Sequence, residues 1–170
     1  TTNWGKLFNV VSKPNPNDLA YTALELKSHS DNPYRKPVPG IQLLHCIANE
    51  STGGDSSLVD GFSVAEHLKL NHRDFYEILT QTNVNFKFTD VDVILENKSK
   101  LIELDTDGNF KQITFSGRLD YVPLLNDKNL EIFYKARKCM YALCNSDQFK
   151  IKFKLSKGTI AMFDNLRTLH

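Results

Sequence analysis

The clearest hydrophobic pattern in the chain is a strict alternation near its end. Phe149, Ile151, Phe153 and Leu155 take one side of an extended segment, and Lys150, Lys152 and Lys154 the other. This is the period of a half-buried strand. Ser156-Lys157-Gly158 turns, and 159–163 is the next strand, running toward His170. Before this pair, residues 127–144 carry the longest helical pattern, with Leu130, Phe133, Tyr134, Tyr141 and Cys144 near one face.

The earlier part reads as shorter pieces. Pro14 and Pro16 mark a loop, 20–28 is extended, and Asp31-Asn32-Pro33 turns. The apolar run 41–47 predicts a buried strand, with His45 as a core histidine. After a turn at Thr52-Gly53-Gly54-Asp55, a short strand covers 57–60. Ser63 with Glu66 three residues on has the form of a capping box. It opens a helix with Val64, Ala65 and Leu68 inward. A second helix covers about 73–80, with Phe75, Ile78 and Leu79 inward. Strands follow at 84–88, 100–105 and 110–115, the last two joined by an Asp107-Gly108 hairpin turn. Many short strands with inserted helices predict a mainly β fold, an antiparallel sandwich or barrel, rather than a doubly wound sheet.

Composition narrows the class. At 170 residues, with 41% hydrophobic and 24% charged positions, the chain has the make-up of one globular domain. A net charge of +1 without a long basic run argues against phosphate-neutralising nucleic-acid binding. No apolar run reaches the roughly 18 residues of a membrane span, and no signal segment opens the chain. Cys46, Cys139 and Cys144 do not read as a disulfide framework, so a reducing, cytoplasmic location is expected. The chain starts without Met and stops on the strand-like Leu169-His170, which suggests a fragment.

The candidate chemistry begins with His29 and Asp31. Two apart in extended chain, they share a face and can meet one metal ion. The third ligand must come from elsewhere, and His170 ends a distant strand-like segment. Two histidines and one carboxylate leave positions open for Fe(II) oxygen chemistry. The short pattern is weak by itself. Its surroundings are more specific: Ala20-Tyr21-Thr22, His29-Ser30-Asp31, the run 39–46 (Pro-Gly-Ile-Gln-Leu-Leu-His-Cys), Thr52-Gly53-Gly54-Asp55-Ser56, Val59-Asp60-Gly61-Phe62 and the run 163–170 (Phe-Asp-Asn-Leu-Arg-Thr-Leu-His). With these six blocks in order, the chain resembles the γ-butyrobetaine and trimethyllysine dioxygenase family, among the taurine-dioxygenase-like oxygenases.

The resemblance implies a double-stranded β-helix (jelly roll), here truncated, with 1–170 as a single catalytic domain that lacks the part after the last ligand. It implies Fe(II) on His29, Asp31 and His170, with Ser30 where the family usually has Thr. It also implies 2-oxoglutarate as co-substrate near Leu44 and Ser56, dioxygen, and ascorbate as reductant. The expected reaction hydroxylates a small quaternary ammonium substrate such as γ-butyrobetaine, in carnitine biosynthesis. Trp4, Phe8 and Tyr21 match an aromatic cage for the trimethylammonium group, which acts by cation–π attraction.

Asp18 stands where γ-butyrobetaine enzymes have Asn and trimethyllysine enzymes have Asp. Arg118 stands where no Asn is available and can face a carboxylate or phosphonate. Trimethyllysine and trimethylaminoethylphosphonate-type compounds therefore remain alternatives, as does a non-catalytic betaine-binding remnant. The family's 2-oxoglutarate arginine follows the last ligand, so a molecule ending at His170 is expected to bind the co-substrate weakly. A homodimer is the assembly that relatives tend to form.

Other features read more simply. His67 and His72 are solvated helix residues, Asp105-Thr106-Asp107-Gly108 is a turn and not a calcium loop, and Gly53-Gly54 lacks the Lys-Ser/Thr of a phosphate loop.

Overall fold

The computed structural model describes residues 5, 7–11, 26–49 and 53–170. The elements run β1 (Ile41–His45), β2 (Ser56–Asp60), α1 (Gly61–Asn71), α2 (Arg73–Gln81), β3 (Asn83–Asp90), β4 (Val93–Lys100), β5 (Ile102–Leu104), β6 (Phe110–Ile113), α3 (Asp127–Cys144), β7 (Lys150–Phe153), β8 (Ile160–Asp164) and β9 (Thr168–Leu169). Every pairing among them is antiparallel: β1 with β8, β2 with β7 and β9, β3 with β4, and β5 with β6. Short antiparallel strands with helices between them are the architecture that the hydrophobic pattern predicts.

The helices cover one side of the strands. On α3 the buried positions are Phe133, Ala136, Met140 and Cys144, spaced three or four apart as one helical stripe requires. Each of the larger side chains contributes roughly 1.5–3 kcal/mol by leaving water. The stripe is offset from the predicted face: Tyr134 and Tyr141 lie at its exposed flank, and Ala136 and Met140 take the core positions. These meet Leu68 and Leu79 of the first two helices and Val59, Phe86, Ile113 and Leu169 of the strands in one cluster.

Several details depart from the sequence reading. The cap of α1 is Asp60, whose Oδ1 accepts the Phe62 N–H at 3.0 Å. Ser63 lies inside the helix and donates its hydroxyl to Asp60 Oδ2, because the helix starts two residues before Ser63, at Gly61. The run 41–47 is mostly exposed, Cys46 apart: Ile41 and Leu43 are 62% and 65% exposed, and His45 is exposed as well. The reason is that β1 pairs only with β8, and among the described residues the face bearing Ile41, Leu43, Ile160 and Met162 has no covering layer.

The predicted strand 100–105 is two strands with the fully buried Leu101 between them. The predicted return strand stops at Ile113. Ile151 is 63% exposed, so among the described residues this face of β7 is not covered at that position. Of the predicted stretch 20–28, residues 20–25 lie outside the described ones, and 26–28 are not in a strand.

Candidate metal centre

The segment 28–31 is built by alternation. Ser28 and Ser30 are buried, and they are separated by His29 and bounded by Asp31, which are only part-buried. The Ser28 hydroxyl donates to the Cys144 carbonyl at 2.8 Å, tying the segment to the end of α3. Ser30 Oγ donates to the Phe115 carbonyl at 3.2 Å and accepts the Phe115 N–H at 2.9 Å. The two serines thus anchor one face of an extended stretch, and the period of two turns His29 and Asp31 to the other.

His170 reaches the same place through the backbone. The strand β9 is held on β2 by Val59↔Leu169 and Asp60↔Thr168. Immediately after it, His29 and His170 exchange both backbone hydrogen bonds, each 3.0 Å. Residues paired in this way present their side chains on the same face, and the two imidazoles lie 4.6 Å apart between centroids. Asn165, 1% exposed, fixes the remaining member. Its Oδ1 accepts the Asp31 N–H at 2.7 Å, and its Nδ2 donates to the Asp31 carbonyl at 3.1 Å and the Pro39 carbonyl at 2.9 Å. The chain then turns sharply at Asn32, whose φ of 52° is one that Asn tolerates.

The outcome is a compact donor set. His29 Nε2 lies 3.5 Å from Asp31 Oδ1, and His170 Nε2 lies 3.6 Å from Asp31 Oδ2. One ligand atom from each of the three falls within 4.8 Å of the others, the only such group of three among the described residues. Two bonds of about 2.1 Å at right angles separate their ligand atoms by roughly 3 Å, so a small inward shift closes these atoms on an ion.

The surroundings fit that use. His29 Nδ1 lies 2.9 Å from the Lys27 carbonyl, which favours a proton on Nδ1 and leaves Nε2 as the donor. His170 Nδ1 is buried, and among the described residues it has no hydrogen-bond partner. Its ring packs 4.7 Å from that of Phe163 on β8. Burial works against the charge on Asp31, but the two imidazoles more than offset it and hold the carboxyl well below its usual range. For His29, burial opposes protonation, and the Asp31 carboxylate with the Lys27 carbonyl outweighs it, so the pKa is raised.

The triad opens on a cavity of about 1310 Å³. Leu44 and Ser56 both line it, as does Phe8, which is 51% exposed. Trp4, Asp18 and Tyr21 lie outside the described residues. Sequence reasoning missed Asn165 as a clamp and the inward role of Ser28. The Ser-His-Ser-Asp alternation was a visible signal for the serines, whereas nothing local marks Asn165.

The chain belongs to the taurine catabolism dioxygenase TauD, TfdA family, whose model matches residues 2–170. Solved structures agree on the fold. A taurine dioxygenase from Burkholderia xenovorans superposes with a TM-score of 0.68 at 18% identity, covering 88% of this chain and 53% of that one. An asparagine oxygenase gives 0.68 at 16% identity, covering 88% and 44%. The architecture is accordingly the jelly roll of these oxygenases.

More particularly, the chain is similar to the γ-butyrobetaine dioxygenase of Homo sapiens, 39% identical over 99% of this chain. It is 34% identical to that of Pseudomonas sp. over 99%, and 31% identical to a trimethyllysine dioxygenase of Meyerozyma guilliermondii, also over 99%. It spans 44–45% of the length of these relatives. No helix among the described residues is long and apolar enough to cross a membrane.

Proposed function

We propose that this chain is the iron-bearing part of an Fe(II)/2-oxoglutarate-dependent dioxygenase that hydroxylates a small trimethylammonium compound. The observation that carries the reading is the donor set of His29, Asp31 and His170 at the wall of a cavity large enough for two small molecules. In this reading the three residues are the iron ligands. When bound, Fe(II) would activate dioxygen, the oxidant, with 2-oxoglutarate oxidised alongside the substrate: substrate C–H, dioxygen and 2-oxoglutarate yield the alcohol, succinate and CO2.

The chain's own residues do the positioning. The Lys27 carbonyl orients His29, Asn165 orients Asp31, and the reciprocal backbone bonds set His170 beside His29. Leu44 and Ser56 form the co-substrate side of the cavity. In this reading, as the family resemblance implies, Trp4, Phe8 and Tyr21 are the trimethylammonium cage and Asp18 a further substrate contact; of these, Phe8 lines the cavity. The names of the similar proteins, γ-butyrobetaine dioxygenase and trimethyllysine dioxygenase, support a trimethylammonium substrate.

The test supplies Fe(II), ascorbate and 2-oxoglutarate to the full protein and measures succinate with γ-butyrobetaine, trimethyllysine and trimethylaminoethylphosphonate side by side. At least one compound should raise succinate well above the uncoupled rate, and His29→Ala, Asp31→Ala and His170→Ala should each remove that increase. Succinate formation indifferent to every betaine would refute the substrate class, and full activity in His170→Ala would refute the ligand set.

A further inference from the structure

Asp31 is fixed upstream by Ser30, which is tied to Phe115, and at its own peptide groups by Asn165. Downstream the chain takes an unfavourable turn. Asn32 has a φ of 52°, in the left-handed region that a side chain occupies only where its surroundings hold it there. The Asn32 carbonyl accepts the Arg35 N–H at 3.0 Å, which closes the turn. Its side-chain Oδ1 accepts the Tyr34 hydroxyl at 2.8 Å and Arg35 Nε at 3.2 Å.

These contacts lead to the β3–β4 hairpin. Tyr34 is buried, and its ring stacks on Phe88 with centroids 4.9 Å apart and 22° between the planes. The Pro33 carbonyl accepts Asn97 Nδ2 at 3.1 Å. In the register of the hairpin Phe88 faces Leu95, Phe86 faces Asn97 and Val84 faces Ser99, so all six share one side of the ribbon. Val84 and Phe86 are fully buried on that side. Strands disfavour asparagine, and an amide on an apolar side needs a hydrogen-bond partner. The Pro33 carbonyl, two residues past the ligand, is that partner.

The ribbon is braced from behind. The Lys87 N–H donates to the Leu119 carbonyl at 3.0 Å, and the Tyr121 N–H to the Asn85 carbonyl at 2.9 Å. Asp120 between them is gripped through both carboxylate oxygens by Arg137 of α3, at 2.6 and 2.9 Å. The helix therefore backs the ribbon, and the ribbon backs the turn.

We propose that the β3–β4 hairpin is the positioning element for the Asp31 ligand, with Asn97, Phe88 and Tyr34 as positioning residues for the reaction. That the ligand serves an iron oxygenase rests on the function proposed above; the positioning rests on these contacts. The three residues act through Asn32 and Pro33. One Asp31 oxygen lies 3.5 Å from His29 and the other 3.6 Å from His170. The direction of the carboxylate thus decides whether one oxygen or both can reach an ion. A carboxylate engaged through both oxygens takes a position that two histidines and one carboxylate otherwise leave open for reactants. Holding the turn at Asn32 restricts that rotation.

The test titrates the full protein with redox-inactive Mn(II), followed by electron paramagnetic resonance, so that the site is read without turnover. Tyr34→Phe keeps the stack and removes only the hydroxyl, and Asn97→Leu keeps the volume and removes the donor. Each should weaken Mn(II) binding by about tenfold and the double variant by up to about 100-fold, the range found on removing an orienting partner. Their line shape at saturating Mn(II) should differ from wild type. Phe88→Leu should reproduce part of the loss, and Phe88→Tyr, which keeps the ring, should not. Leu79→Ala, in the core beneath α2, is the control for stability alone. It should lower the urea midpoint at least as much, yet leave Mn(II) affinity within twofold and the line shape unchanged.

Mn(II) affinity within twofold of wild type in the double variant overturns the inference. So does an equal loss in Leu79→Ala, which would make the contacts merely structural. Succinate formation by the wild type that ignores every betaine sinks the trimethylammonium reading and leaves the positioning of Asp31 standing, provided the Mn(II) losses are found. Failure of the wild type to bind Mn(II) overturns both.

Discussion

Replacing Asn165 by alanine is the most revealing single perturbation of this protein. The side chain is buried at 1% exposure and makes three hydrogen bonds, of 2.7, 3.1 and 2.9 Å, to the Asp31 N–H, the Asp31 carbonyl and the Pro39 carbonyl. Three such bonds are worth about 3 kcal/mol net, and leaving their partners unsatisfied raises the loss to roughly 3–5 kcal/mol. For a chain of 170 residues that corresponds to a fall in Tm of about 10 °C or somewhat more. The second consequence is local, because the lost bonds hold the backbone of a candidate ligand. Metal affinity should drop about 10–100-fold, the usual effect of removing an orienting partner. Urea unfolding of the metal-free protein measures the first effect, and Mn(II) titration followed by electron paramagnetic resonance measures the second. Stability within 1 kcal/mol of wild type together with Mn(II) affinity within threefold would refute the clamp.

Other substitutions test neighbouring parts of the argument. Ser30→Ala removes both hydroxyl bonds to Phe115 and should cost about 1–3 kcal/mol by urea unfolding, whereas Ser30→Thr keeps the hydroxyl and should cost less. Gly61→Ala places a methyl 2.7 Å from the Arg167 carbonyl and 2.9 Å from Ile113; it should destabilise by about 1–3 kcal/mol and, by shifting the turn that leads to His170, weaken Mn(II) binding. Asp60→Ala removes the cap of α1 and should cost about 1 kcal/mol by urea unfolding at pH 7. The Arg167 guanidinium beside Asp60 holds its carboxyl below the ordinary 3.8, so the stability it confers is complete above that value and lost as pH falls through the lowered pKa. The gap in urea midpoint between wild type and Asp60→Asn should therefore shrink on acidification below about pH 4, and a gap that widens there would contradict the pairing.

What the sequence revealed depended on how local the cause was. The helix at 127–144 is legible to the residue, because Asn126 caps it with a bond to the Asn129 N–H and its apolar stripe recurs with helical period. The Asp107-Gly108 hairpin is legible because Gly108 takes a φ of +83°, which favours glycine. The strand β4 was invisible: it follows a two-residue turn of Val91 and Asp92, which carries neither the Gly nor the Asn that announces a hairpin. The run 41–47 misled because apolar content does not say which face is covered, and that is decided by β8, far along the chain.

The site divides along the same line. His29 and Asp31 share a face for a reason visible in four residues. That His170 joins them was implied by the family resemblance alone. The Asn165 clamp escaped both, since its partners lie 134 and 126 positions away.

The exchange of backbone bonds between His29 and His170 also has a kinetic meaning. Nearly all the described chain lies between those two residues, so this is among the most non-local contacts the topology makes. Contacts of that kind form after local ones, since the entropy of closing a long loop must be overcome first. The helices and the 104–110 hairpin can assemble without it, but the donor set cannot exist until it forms. Metal competence should consequently be the last property gained in refolding and the first lost when either flank of the pair opens.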